Sequence, residues 1–174
     1  MNADGRRLIV MRHAKAEPVA ESDHARRLVD RGKRAAEEAG RWARDEGILP
    51  DHALVSTAAR AHETWSSFAA AAALDLEPVL DRALYSAGPD SAMEVLRTVP
   101  PGAATVMIVG HNPTMAHLVH LLDDGDADAG AFTALSSGFP TAGVAVLEVG
   151  GEWTDLDVAT CRISAFHAPG ASGS

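Results

Sequence analysis

Residues Leu8-Ile9-Val10-Met11 form an apolar run with no polar alternation, close to the start of the chain. A run this short and unbroken fits a strand buried on both faces, and such a strand needs a sheet with helices packed on each side. The pattern returns at Thr105-Val106-Met107-Ile108-Val109 and, more briefly, at Ala53-Leu54-Val55. Between these runs the spacing turns helical. Ala35, Ala39, Trp42 and Ala43 share one face of a helix that starts near Lys33 and stops at Gly47. A second helix runs from about Ala58 to Ala73 behind an N-cap at Ser56 or Thr57, and a third from Ala92 to Thr98 behind Asp90 or Ser91. Asn112 caps a fourth, which has Pro113 in its first position and reaches Leu122. Asp123 to Gly130 reads as an acidic loop. Glu77–Leu80 reads as a short strand, and Ala142–Val149 with Trp153–Ile163 as a terminal hairpin around Gly150-Gly151. Strands alternating with helices predict an α/β fold, a three-layer α/β/α sandwich around a mostly parallel central sheet. No repeat or linker divides residues 1–174, so one domain is expected, with disordered tails at about 1–5 and 168–174.

The 24 acidic and 15 basic residues leave a formal net charge of −9. That excess disfavours non-specific attachment to nucleic acid or to an anionic membrane, and neither is expected as a partner. An anion handled by such a chain has to be held by a local cluster of cations. Five basic residues fall between Arg26 and Arg34, a candidate rim for docking a partner or, on the plainer reading, a solvated helix start. The longest apolar stretch, Phe68 to Leu74, is too short to span a bilayer. The first residues lack the basic-then-apolar order of a secretory signal, and the single cysteine, Cys161, allows no intramolecular disulfide. A cytoplasmic location is expected.

Two of the most apolar strands each end at a histidine, His13 directly after Arg12 and His111 directly after Gly110. The third runs through Ser56-Thr57 into a helix with Arg60 in its first turn. If these strands lie parallel and adjacent, their carboxyl ends bring Arg12, His13, Arg60 and His111 into one pocket, where open α/β sheets keep their ligands. Two guanidinium forks match the oxygens of a tetrahedral anion. Amides at the start of the helix near Pro113 would add free donors. Binding phosphate would not by itself require His13 beside Arg12. A neutral imidazole nitrogen can attack phosphorus and form a covalent phosphohistidine, while Arg12, Arg60 and His111 neutralise charge on the equatorial oxygens. One histidine after a strand is more often a satisfied polar residue than a nucleophile; two, each ending a buried strand, favour chemistry. Strand alternation sends Arg12 and His13 to opposite sides, so the chain must turn sharply after them, and the small Ala14 suits such a turn.

Arg12-His13-Ala14, Ser56-Thr57-Ala58-Ala59-Arg60-Ala61-x-x-Thr64 and Gly110-His111-Asn112-Pro113 resemble, in order, the three core motifs of the histidine phosphatase superfamily, which has a phosphoglycerate mutase-like fold. The short length, Leu28-Val29-Asp30-Arg31-Gly32, Leu84-Tyr85-Ser86-Ala87 and Phe139-Pro140-Thr141-Ala142 resemble its SixA-like phosphohistidine phosphatase branch. The resemblance spans Leu8 to Val149. It implies that His13 is the phosphorylated nucleophile, that Arg12, Arg60 and His111 bind the phosphoryl group, and that no metal or organic cofactor takes part. It also implies a phosphohistidine-bearing protein as substrate. The alternatives are a phosphatase of a small-molecule phosphomonoester and a non-catalytic phosphate- or phosphoprotein-binding domain.

The chain departs from mutase-like members, which carry a glutamate in a Gly-x-Trp-Glu-Gly-like segment. Here Leu84-Tyr85-Ser86-Ala87-Gly88-Pro89 holds no carboxylate before Asp90. An alkoxide leaving group needs an acid worth about 10²- to 10⁴-fold in rate, whereas a phosphoramidate nitrogen can take its proton before the bond breaks. Phosphohistidine or aryl phosphates are therefore expected over alkyl monoesters, with Glu17, Asp23 and Asp90 as candidate general acids. His117 and His120 stand three apart on one helix, a spacing that suits a metal pair. Apart from His111 no third ligand follows at such spacing, and a surface or core-edge position is expected.

Overall fold

A computed structural model of the chain describes residues 5–170, so the tails expected to be disordered lie mainly outside the described residues. Strand β1 (Arg6–Arg12) keeps Leu8, Ile9, Val10 and Met11 fully buried because both of its edges are paired and both of its faces are covered. It runs parallel to β4 (Thr105–Gly110) on one side and antiparallel to β5 (Val144–Val149) on the other. β4 pairs in parallel with β2 (His52–Ser56), and β2 with β3 (Val79–Asp81). β6 (Cys161–His167) closes the far edge antiparallel to β5, giving the order β3-β2-β4-β1-β5-β6. The sheet is mostly parallel, as expected, and the carboxyl ends of β1, β4 and β2 lie side by side.

Alternation along β1 divides the core into two layers. Leu8 and Val10 join the layer built with α4 (Pro89–Arg97), α5 (Thr114–Leu122) and α6 (Ala129–Ser136). Ile9 and Met11 join the layer of α1 (Asp30–Asp45) and α2 (Ala59–Ala71). A short helix, α3 (Ala83–Ser86), follows β3. This is the α/β/α sandwich that the buried runs predicted.

Several local expectations need correction. Ala58, Gly88 and Pro113 occupy the N-cap positions of α2, α4 and α5, and none makes a side-chain cap bond. Ser56 and Asn112 still accept from nearby amides, Ala58 N–H at 3.3 Å and Ala116 N–H at 3.2 Å, from outside the cap position. Asp90 falls inside α4 because Pro89 already opens that helix. Residues from Ala129 onward are helical where an acidic loop was expected to reach Gly130, and Asp128 caps that helix by accepting from Ala131 N–H at 2.9 Å. The last strand begins at Cys161 rather than Trp153. Trp153 and Leu156 are apolar because they pack the connection against α4: the Trp153 indole is buried in a 3₁₀ turn and donates to Ala103 O at 2.7 Å.

Candidate active site

At its carboxyl end β1 leaves strand geometry. Arg12 N–H donates to Gly143 O (3.1 Å) and His13 N–H to Gly110 O (2.9 Å), but the carbonyls of both residues accept from the single N–H of Ala142 (3.1 and 3.2 Å). Successive carbonyls of a regular strand point opposite ways, so the shared donor marks the sharp turn that the Arg–His pair requires. Ala14 is fully buried, and its N–H donates to Thr64 Oγ1 (2.9 Å) on α2; that hydroxyl donates to Arg60 O (2.6 Å). One threonine thus joins the backbones behind His13 and Arg60. Gly32 lets α1 close on the same segment, since a Cβ there would lie 2.1 Å from Lys15 O.

His13 and His111 meet with ring centroids 5.2 Å apart. His13 Nδ1 lies 2.8 Å from Ala14 O. A carbonyl can only accept, so Nδ1 carries the proton and Nε2 of the neutral ring keeps its lone pair. Burial, with Arg60 and Arg12 adding repulsion, pushes His13 down to about 4. Burial and the facing His13 push His111 down to about 3. Both rings are therefore neutral at pH 7. His111 Nε2 pairs with Ser56 Oγ at 2.8 Å, while its Nδ1 is buried without a partner.

The arginines reach the same cluster. Arg12 Nη1 donates to Phe139 O (3.1 Å), which also accepts from Asn112 Nδ2 (2.9 Å). Arg60, 6% exposed, donates from Nη1 to Asp23 O (2.8 Å) and from Nη2 to Asp23 Oδ2 (3.1 Å). The Nε atoms of both arginines are buried without partners. Buried donors that lack acceptors are uncommon in folded proteins, and this cluster holds two, Arg12 Nε and Arg60 Nε, beside the unpartnered Nδ1 of His111. A tetrahedral oxyanion has the acceptors to satisfy them.

Two amides at the start of α5 are already occupied. Met115 N–H is taken by His111 O (2.9 Å) and Ala116 N–H by Asn112 Oδ1 (3.2 Å), so α5 seals these amides with its own chain. Among the candidate acids, Glu17 accepts from Arg27 N–H (3.0 Å) as a strut within its loop, and Asp90 is exposed in the first turn of α4. Only Asp23 reaches the cluster. Tyr85 O–H donates to Asp23 Oδ2 (2.6 Å) and Arg26 Nε to Oδ1 (3.1 Å). The Tyr85 bond, then Arg60, hold the Asp23 carboxyl down at about 2, so it carries no proton near neutrality. Tyr85 also packs edge-on against His111 and His24, with centroids 5.6 and 4.9 Å apart. A cavity of about 590 Å³ opens beside it, lined by His24, Thr57, Arg82, Ala83, Tyr85 and Ser86.

Tyr85, Ser56 and Phe139 all stood inside the motifs noted in the sequence, yet nothing local there shows what they touch. The basic stretch from Arg26 is partly neutralised: Arg26 pairs with Asp23, and Arg27 with Glu63 at 2.6 Å. His117 and His120 are exposed on α5. Among the described residues no helix is long and apolar enough to cross a membrane.

No family model matches the chain. An uncharacterized protein of Mycobacterium tuberculosis is 37% identical over 161 residues, covering 91% of this chain and 99% of that protein. Among solved structures, a proposed phosphohistidine phosphatase SixA from Nakamurella multipartitia superposes with a TM-score of 0.82 at 35% identity, over 96% of this chain and 98% of that one. Another, from Agrobacterium tumefaciens, superposes with a TM-score of 0.79 at 32% identity, over 94% and 98%.

Proposed function

The chain belongs to the histidine phosphatase superfamily, in its SixA-like branch, and is a metal-independent phosphatase; from that premise we propose that it removes phosphoryl groups from histidine in a partner protein, through a covalent intermediate on His13. His13 Nε2 attacks phosphorus in line. The P–N bond of the substrate breaks, and its electron pair returns to the leaving imidazole. If that imidazole is protonated on its far nitrogen, it departs neutral and no proton has to move. Phospho-His13 is the same kind of species, an imidazolium with Nδ1–H on Ala14 O and the phosphoryl group on Nε2. Water then attacks phosphorus, the second P–N bond breaks, neutral His13 returns with its Nδ1 proton, and both protons of the water leave on the phosphate as H2PO4⁻. Arg12, Arg60 and His111 stabilise the charge on the equatorial oxygens.

The observation that carries this reading is the Nδ1–H bond of His13 to Ala14 O, which sets the nucleophilic tautomer beside a carboxyl, Asp23, that carries no proton. Nitrogen leaving groups need no acid; an alkoxide forgoes a contribution of about 10²- to 10⁴-fold. The enzyme is therefore expected to favour a phosphohistidine peptide over a phosphoserine peptide by at least about 10²-fold in kcat/KM. Rapid quenching should trap an acid-labile, base-stable phosphoryl group that is lost in His13→Ala. Equal kcat/KM on the two peptides overturns the substrate assignment, and a wild-type enzyme that turns over without labelling His13 overturns the intermediate.

A further inference from the structure

Asp23 gives Arg60 two acceptors, its backbone carbonyl for Nη1 at 2.8 Å and Oδ2 for Nη2 at 3.1 Å. The same carboxylate is held by Tyr85 O–H at 2.6 Å and Arg26 Nε at 3.1 Å. A guanidinium has two edges for paired contacts, the end edge between the two Nη atoms and the side edge that includes Nε. Asp23 occupies the end edge of Arg60, and the unpartnered Nε lies on the other. Arg12 repeats part of this plan, with Nη1 tied to Phe139 O and Nε unpartnered, but among the described residues no carboxylate orients it. Arg60 is gripped from the loop before α1, and the short helix α3 holds that grip through Tyr85, whose ring also lies 6.0 Å from Arg60 Cζ.

We propose that Asp23 is a positioning residue for phosphoryl transfer: it grips Arg60 by the end of its fork so that the side edge faces the oxygens of the transition state, and Tyr85 holds Asp23 in turn. The proposal rests on the phosphoryl site assigned above. Its sign separates it from simple electrostatics. Removing a negative charge beside Arg60 should, by charge alone, draw an anion in more tightly. Losing the orientation of Arg60 should instead slow the reaction, because a displacement of about 1 Å can cost about 10²-fold.

Asp23→Asn preserves size and removes the charge at an exposed position. With p-nitrophenyl phosphate it is expected to lower kcat by about 10- to 100-fold. KM and the Ki of inorganic phosphate should stay within about 3-fold, whereas the Ki of orthovanadate, which imitates the transition state, should rise in step with the loss in kcat/KM. Tyr85→Phe should lower kcat less, in the same sense. In an Arg60→Ala background Asp23→Asn should have no further effect, since the group it positions is gone. A purely structural role would instead give the same loss in both backgrounds. Wild-type kcat in Asp23→Asn, tighter phosphate binding with undiminished turnover, or an undiminished effect in the Arg60→Ala background each overturns the proposal. Failure of the underlying site reading looks different: no phospho-His13 forms even in the wild type.

Discussion

Replacing His13 by asparagine should change how stability depends on pH, and the structure sets both the sign and the size. Burial holds the His13 ring neutral from its ordinary 6.5 down to about 4. As pH falls through 6.5 the unfolded chain takes up a proton on this histidine; the native chain does so only near 4. Unfolding therefore gains protons across that window, and native stability is lost as pH drops. The linkage amounts to about 3 kcal/mol by pH 4. Asparagine has no such proton, so the stability of the wild type minus that of His13→Asn should fall by about 3 kcal/mol between pH 7.5 and 4. His111 acts in the same sense, because part of its own depression comes from His13 and would be relieved in the variant. Urea unfolding of both proteins at intervals across this range measures the difference directly. An NMR titration of His13 with a midpoint near 6.5, or a difference that stays level within about 1 kcal/mol, would refute the reasoning.

Two further substitutions test how the loop behind His13 is held. Gly32→Ala places a methyl group 2.1 Å from Lys15 O, a backbone atom with no rotamer to yield, and should destabilise by about 1–3 kcal/mol with a loss of kcat, read by urea unfolding and steady-state assay. Thr64→Val leaves the buried Ala14 N–H without its acceptor and should cost about 1–3 kcal/mol, whereas Thr64→Ser, which keeps the hydroxyl, should cost clearly less.

The central strands were legible because every position of a strand buried on both faces reports the same thing. Leu8–Met11 and Thr105–Val109 needed no phase to be recognised, and their neighbours in the sheet followed from parallel pairing. Helix α6 had no comparable voice. It buries Ala131 and Leu135 but leaves Phe132 more than half exposed, so its apolar spacing is blurred and Asp128 is its one local marker. The α5 terminus was legible only in part, for a different reason. Asn112 reads as a capping residue and as the start of an anion-binding helix end, but a side chain that accepts an amide N–H takes it away from any ligand. Arg12, His13, Arg60 and His111 could be gathered from strand ends alone, whereas the Asp23–Arg60–Tyr85 contact joins three segments with no shared periodicity. No spacing rule reaches across such loops.

The charges of the site explain one another. Arg12, Arg26 and Arg60 all oppose a proton on His13, and on the proposed mechanism Arg12 and Arg60 also draw in the phosphoryl group, so the same cations keep the attacking ring unprotonated and bind what it attacks. Once the phosphoryl group is on Nε2, the ring becomes an imidazolium, but two negative charges have arrived with it and the repulsion is met. Asp23 fits this balance. Three guanidiniums against one carboxylate leave two positive charges, which a phosphoryl dianion neutralises. A chain of net charge −9 can hold such a dianion because the attraction works over a few ångströms, inside the screening length of about 8 Å at physiological salt, where the nearest side chains outweigh the overall field.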